Sequence, residues 1–443
     1  MIRRFVLALS LSTALCVPSY AHAETIAETI TQALQTHPQI KEGAAMVNAA
    51  DKNVSEQKSG YFPVVGLEGE GGRAHNNDMT TRADTDSGEA SSSWKDGGTV
   101  TFTQPLFTGF AVQNHVEGAE ARHTAASYDL DATQEDIALR AARAHLNLMR
   151  TKELLDLATD YMNKIEDRRK NIDLMVKNGA ADAAELLQAD EVMSAAKNTR
   201  LGYEESYRQA EADYIEVTGL TPGTTLELGQ PQWEGSIPKS LDGAIAYATI
   251  KNSHILAADS LITAAGKDRD AEKSTLLPHV NAEVSYYHEN QKYDLGDYTS
   301  DAQALVKLSW NFETGGGQSD RIDKYGEEQN QAFAKKQEAI RTVEHDTRQK
   351  FTSMEIVDQQ FTQLTDREAA SEKILQNFLA QFEGGKQTNL QLINAHAQMF
   401  EAKAAKIDAH YRQLLSRFEL LNVMGRLREA FGDTKSPEPA NKG

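Results

Sequence analysis

The chain has one cysteine in 443 residues, Cys16. It lies in the apolar run FVLALSLSTALCV, between Arg3-Arg4 and the small-residue site Ala21-His22-Ala23. A basic start, a short apolar run and an A-x-A site make a secretory signal peptide, read here over residues 1–23 with cleavage after Ala23. The run is too short to span a membrane. Leu15 stands where a lipid-anchored precursor carries a small residue, which disfavours lipid anchoring. The mature chain is therefore expected to enter an oxidising compartment with no disulfide to form.

Basic residues are scarce. Without Arg3 and Arg4, 44 basic residues (46−2) face 65 acidic ones, a net charge of 44−65 = −21. That argues against a nucleic-acid partner and against adhesion to anionic lipid heads. Beyond the leader, no segment approaches the roughly 20 apolar residues of a spanning helix, so a membrane-embedded form would be a β-barrel. Catalytic signatures are missing as well. There is no G-x-x-x-x-G-K-[ST] phosphate loop and no H-E-x-x-H zinc helix. His115, His123 and His145 are spaced by 8 (123−115) and 22 (145−123), not by the three or four that set ligands on one helix face. Gly69, Gly71 and Gly72 precede a polar loop rather than a helix and read as strand glycines. No enzyme activity, cofactor or metal is expected.

What the chain does have is a repeat. At an offset of 215 (245−30), Ile30 meets Ile245, Ala33 meets Ala248, Ile40 meets Ile255 and Pro63 meets Pro278. Further on the offset is 206 (314−108): Thr108-Gly109 meets Thr314-Gly315, Gly179 meets Gly385, and Gly219 meets Gly425. The second copy is thus 9 residues shorter (215−206) between its strands, as an exposed loop tolerates. The boundaries read as 24–230 for the first repeat and 231–431 for the second, with 432–443 a disordered tail by composition.

Each copy carries a long heptad. Leu130, Ile137, Ala144, Thr151, Ala158, Ile165 and Ile172 recur every seven residues, and Val343, Val357, Leu364 and Phe378 keep the phase in the second copy. Such a repeat predicts a left-handed coiled coil. Helices are expected over 111–177 and 318–383, the first free of proline and on the order of 100 Å long at 1.5 Å per residue. Return helices over 182–217 and 388–424 follow glycine turns at Gly179 and at Gly384-Gly385.

Four segments alternate apolar and polar residues: about 61–73, 97–108, 279–290 and 301–313. In VKLSWNF, Val306, Leu308, Trp310 and Phe312 oppose Lys307, Ser309 and Asn311. A charged row opposite an apolar one fits a barrel with a wet lumen. It also fits the half-buried sheet of a soluble domain; the leader and the rods favour the barrel. The link from Ala74 to Asp96 is polar and serine-rich, and reads as an exposed loop.

In this order, helix, KSGYFP, strand pair, PLFTGF, long helix, NG…ELLQA turn and return helix, written twice, the chain resembles the TolC family of outer-membrane efflux and secretion channels. The likeness covers nearly the whole mature chain. It implies a fold mainly α with membrane β: a homotrimer in which a 12-strand outer-membrane β-barrel, four strands per protomer, continues into a periplasmic α-helical barrel. It implies contact with outer-membrane lipid, docking of the helical tips onto a periplasmic adaptor, and an inner-membrane ABC exporter or a proton-driven pump behind it. The family's entrance carries a tyrosine, an arginine and two aspartates; the matching positions here are Phe382, Gln387, Gln391 and Asn394. Asp182 and Glu185 keep acids in the first copy, and Lys386 is expected to pair with one of them and hold the tip closed. Gly179, Gly384 and Gly385 are the expected docking turns, and Thr108, Gly109, Thr314 and Gly315 the barrel-to-helix turns. The function this implies is a passive exit channel, with type I protein secretion ahead of drug efflux. A periplasmic coiled-coil scaffold is the rival from another class.

Overall fold

The computed structural model describes residues 24–77, 79–84, 91–223, 225–229, 235–291 and 298–431. The leader and the tail 432–443 lie outside the described residues. In chain order the elements are β1 (Glu24–Thr25), α1 (Ile26–Thr36), α2 (Pro38–Lys58), β2 (Val64–Asn76), α3 (Met79–Asp84) and β3 (Ser91–Phe107). Then come α4 (Ala111–Lys177), α5 (Ala183–Thr218), β4 (Leu226–Glu227), α6 (Leu241–Lys251), α7 (Ser253–Glu272), β5 (His279–Gln291) and β6 (Tyr298–Ser309). The chain closes with α8 (Gly317–Glu383), α9 (Asn389–Val423) and α10 (Leu427–Ala430).

The long helices α4 and α8 have 67 residues each and start 206 apart (317−111). Helix starts are marked by capping side chains. Thr25 and Glu28 form a reciprocal capping box at α1, with Thr25 N–H donating to Glu28 Oε2 at 2.8 Å. Ser240 caps α6 and Asn252 caps α7.

The described residues fall into two compact units. The first takes in 137–234 and 355–418 with the start of the chain; the second takes in 38–136, 235–354 and the residues from 419 onward. These units cut across the sequence repeats, because matching stretches of the two copies pack on each other. In the first unit, Ile165 and Ile172 of α4, Ala189 and Met193 of α5, and Ile393 of α9 form one buried cluster. Ile165 and Ile172 are heptad residues of the first copy, and Ile393 joins them from the second. In the second unit, Ala244, Ala248 and Ile255 pack with Val343, Phe351, Leu420 and Met424. Also in the first unit, His145 is fully buried between the Thr29 hydroxyl at 2.8 Å and the Glu227 carbonyl at 3.1 Å. Burial lowers its pKa to about 4, so the imidazole is neutral.

The second unit holds a four-stranded antiparallel sheet, ordered β2-β3-β5-β6, in which β3 and β5 join the two copies. The register aligns the apolar residues of all four strands. Val65, Phe102, Val284 and Ala304 form one cross-strand row, and Leu67, Val100, Tyr286 and Ala302 the next. Period-two alternation puts Glu68, Thr101, Ser285 and Gln303 on the other face. Most of the apolar row is exposed in the single chain: Leu67 is 76% accessible and Val284 53%. The register shifts between Pro105 and Phe107, where proline has no N–H to give.

Two strand readings need correcting. Ala74 to Asp96 is not one loop: Ala74–Asn76 pair with Ser91–Ser93, and Arg73 pairs with Trp94. Ladder bonds make a strand of a serine-rich stretch without an apolar alternation of its own. The last strand runs over Tyr298–Ser309, not 301–313. Trp310 leaves the ladder and donates its indole N–H to the Leu276 carbonyl at 3.2 Å.

Candidate functional site

At the end of α4, the Gly179 N–H donates to the Val176 carbonyl at 3.0 Å and the Ala180 N–H to the Met175 carbonyl at 2.8 Å. At the end of α8, Gly385 donates to Phe382 at 2.9 Å and Lys386 to Gln381 at 2.9 Å. Both are Schellman turns, with φ of 73° at Gly179 and 71° at Gly385, where a β-carbon is disfavoured. Gly384 precedes the second and is exposed.

The side chains expected at an entrance mostly serve the helix starts. Asp182 is the N-cap of α5, its carboxylate accepting from the Ala184 N–H at 3.2 Å. Glu185, half-buried, sits three residues on, in the first turn. The second copy closes a full box: Thr388 N–H donates to Gln391 Oε1 at 2.9 Å, and Gln391 N–H donates to Thr388 Oγ1 at 3.3 Å. Gln387 donates to Gln381 Oε1 at 2.8 Å, and Asn394 is exposed. Lys386 is exposed, and among the described residues neither Asp182 nor Glu185 lies within ion-pair distance of it.

Other contacts do join the hairpins. Asn389, 3% accessible, donates to Met175 Sδ at 3.2 Å. The Arg168 guanidinium stands 5.9 Å from the Phe382 ring centre, within cation–π range. His396 is buried and its Nε2 has no partner among the described residues. Burial first, then the charges of Arg168 and Lys164, push its pKa down to about 4. The matching position in the first copy, 396−206 = 190, holds Asp190, ion-paired with Arg169. Sequence reasoning missed these contacts. The Thr388-x-x-Gln391 box was present as a pattern; the contacts joining the hairpins link segments 214 residues apart (382−168, 389−175) and leave no local signal.

The strand-to-helix turns differ. In the first, the Thr108 carbonyl accepts from the Ala111 N–H at 3.0 Å, and positive φ falls on Gly109 (61°) and Phe110 (68°). Gly109 is buried; a β-carbon there would lie 2.8 Å from the Ser274 carbonyl oxygen. In the second, Thr314 and Gly315 are exposed and positive φ falls on Gly316 (79°), the counterpart of Phe110 (316−110 = 206).

On the polar face of the sheet, Lys95 bridges Glu70 at 3.0 Å and Glu289 at 3.1 Å, and Lys307 meets Glu283 at 2.5 Å. Exposed pairs of this kind contribute little to stability. Their interest is placement: a charged face sits back to back with an exposed apolar one.

Comparison with known proteins bears on this arrangement. The family model described as outer membrane efflux protein matches residues 29–220 and 245–426, one segment for each sequence copy. The outer membrane efflux protein BepC of Brucella suis biovar 1 (strain 1330) is 23% identical over 415 residues, covering 92% of this chain and 86% of that one. The outer membrane protein TolC of Vibrio cholerae serotype O1 is 24% identical over 423 residues, covering 92% of each. The Campylobacter jejuni CmeC outer membrane channel shares the fold, with a TM-score of 0.75 at 12% identity over 96% of this chain and 94% of that one.

Proposed function

The chain belongs to the outer membrane efflux protein family, a family of channel proteins rather than enzymes, and from that premise we propose that three copies enclose a passive exit conduit through the outer membrane and into the periplasm. One observation carries the reading: a four-stranded sheet with an apolar face, a charged face and two open edges, β2 and β6. Open edges are not tolerated in lipid, so other copies must close them. Three copies make a barrel of 3×4 = 12 strands, apolar side to the lipid and the Lys95 and Lys307 side to the water. The helical hairpins continue the wall into the periplasm, with Thr108-Gly109 and Thr314-Gly315 where each copy leaves the membrane.

The entrance lies at the hairpin turns, where Gly179, Gly384 and Gly385 meet a periplasmic adaptor. Asp182, Glu185, Lys386, Gln387, Gln391 and Asn394 line or brace it. Energy comes from an inner-membrane ABC exporter coupled through that adaptor, and the cargo is a secreted protein. Small-molecule efflux driven by a proton pump is the second reading, favoured by the name given to the Brucella relative. A periplasmic scaffold would have no use for an exposed apolar sheet.

Purification and fractionation test the conduit. The expected result is a trimer in detergent, resistant to carbonate extraction; a single chain, or one that washes off, overturns it. A deletion strain separates the cargoes: loss of a secreted protein supports secretion, and raised dye sensitivity supports efflux. For the entrance, single-channel conductance of Lys386→Ala and Glu185→Gln is the measurement. Unchanged resting conductance in both removes them from any gate.

A further inference from the structure

The first unit holds a cleft of about 470 Å³ between α4, α5 and α9. Four arginines line it, Arg140, Arg143 and Arg150 from α4 and Arg412 from α9, with Asp213 as the one carboxylate. The rest of the wall is mainly apolar, including Ala144, Val217 and Leu415. In a chain of net charge −19, this is a local reversal of sign.

Three of the four arginines, Arg140, Arg143 and Arg150, have partners within the chain. Arg140 Nη2 donates to Glu216 at 3.0 Å; Arg150 Nη1 donates to Asp408 at 2.7 Å and its Nη2 to Asn147 Oδ1 at 2.9 Å. Arg143 and Arg412 are exposed, and among the described residues no carboxylate lies within ion-pair distance of Arg412. At 100° per residue, Arg143, Asn147 and Arg150 stand about 140–200° around α4 from His145. His145 faces Thr29 and Glu227. Arg143, Asn147 and Arg150 therefore lie on the side of α4 away from His145.

We propose that this cleft binds an amphipathic organic anion, its carboxylate or phosphate head on Arg143 and Arg412 and its apolar body on the Val217–Leu415 wall. Guanidinium forks match carboxylate and phosphate oxygens two at a time. The volume falls in the range of small-molecule sites. All the groups named come from one chain.

The test uses the mature full-length protein in a nonionic amphipol, titrated with dansyl-undecanoate and, separately, with its neutral methyl ester. The acid binds saturably and more weakly as salt rises, and the ester binds at least about tenfold more weakly. Arg143→Ala with Arg412→Ala lowers affinity for the acid at least about tenfold, Arg412→Lys recovers part of it, and the remote Arg200→Ala leaves it unchanged. Arg412→Ala alone, at an exposed position, keeps the test open if the double variant fails to fold. Equal binding of acid and ester, or an unchanged affinity in Arg412→Ala and the double variant, overturns the proposal. Inorganic phosphate displacing the probe as well as dodecyl phosphate does would overturn the apolar half of it.

Discussion

At Gly179 and Gly385 the chain turns through the same backbone hydrogen bonds, donor for donor, 206 residues apart (385−179). The side chains around the two turns differ in kind. The first opens its return helix with the acids Asp182 and Glu185, the second with Thr388 and Gln391. Five residues further on, the first has an acid paired with an arginine, Asp190 with Arg169, and the second a neutral histidine, His396, beside Arg168. Backbone geometry is held while side-chain chemistry is free to vary. That is the pattern expected when equal reach is a shared requirement and each tip meets its own surroundings.

Four measurements break or sharpen this comparison. The largest effect is in the heptad. Ile172 is 1% accessible, and Ile172→Ala is expected to cost about 2–5 kcal/mol in thermal or denaturant unfolding. Its counterpart Phe378 (378−172 = 206) is only half-buried within the chain, so Phe378→Ala should cost clearly less. An equal loss in the assembled protein would mean that another copy covers Phe378. Next, Gly179→Ala and Gly385→Ala should each destabilise by about 1–2 kcal/mol, since both sit in the left-handed region. Sensitivity at only one of them would break the equivalence of the turns.

The caps come third. Asp182→Ala and Thr388→Ala should each cost about 0.5–2 kcal/mol, with Thr388 the larger because both arms of its box are made. Amide exchange over the first turns of α5 and α9 reads them separately. The fourth effect is the smallest at neutral pH, where it is absent. The His396 pKa is lowered from 6.5 to about 4. The unfolded chain therefore takes up the proton first, and the folded state loses stability as pH falls from 6.5 towards 4. His396→Gln should reduce that slope and leave the share carried by His145, whose pKa is also lowered to about 4. An unchanged slope in His396→Gln would assign the pH dependence elsewhere.

Much of the helical architecture was legible because its signals are local and periodic. Ile165 and Ile172 recur at heptad spacing and pack where that spacing puts them. The strands were half legible. Val100, Phe102, Val284 and Tyr286 alternate and share a face, whereas Ser91–Ser93 become strand only because β2 lies beside them. The tips were read largely through a family resemblance, and that led past the local chemistry. Gln391 matched an entrance position, yet its amide closes a capping box. The Arg168–Phe382 and Asn389–Met175 contacts depend on how distant hairpins meet, which no window of sequence records.

Two helices of 67 residues each make chain length a joint property of the copies. One residue inserted in α4 alone would rotate everything beyond it by about 100° and carry Ile165 and Ile172 off their seam. Seven residues would restore the phase to within about 20°, but would leave the other three helices two turns short. Growth or trimming of this molecule must therefore be concerted in four places, in units of a heptad, and natural length variation should collect in the strand links instead.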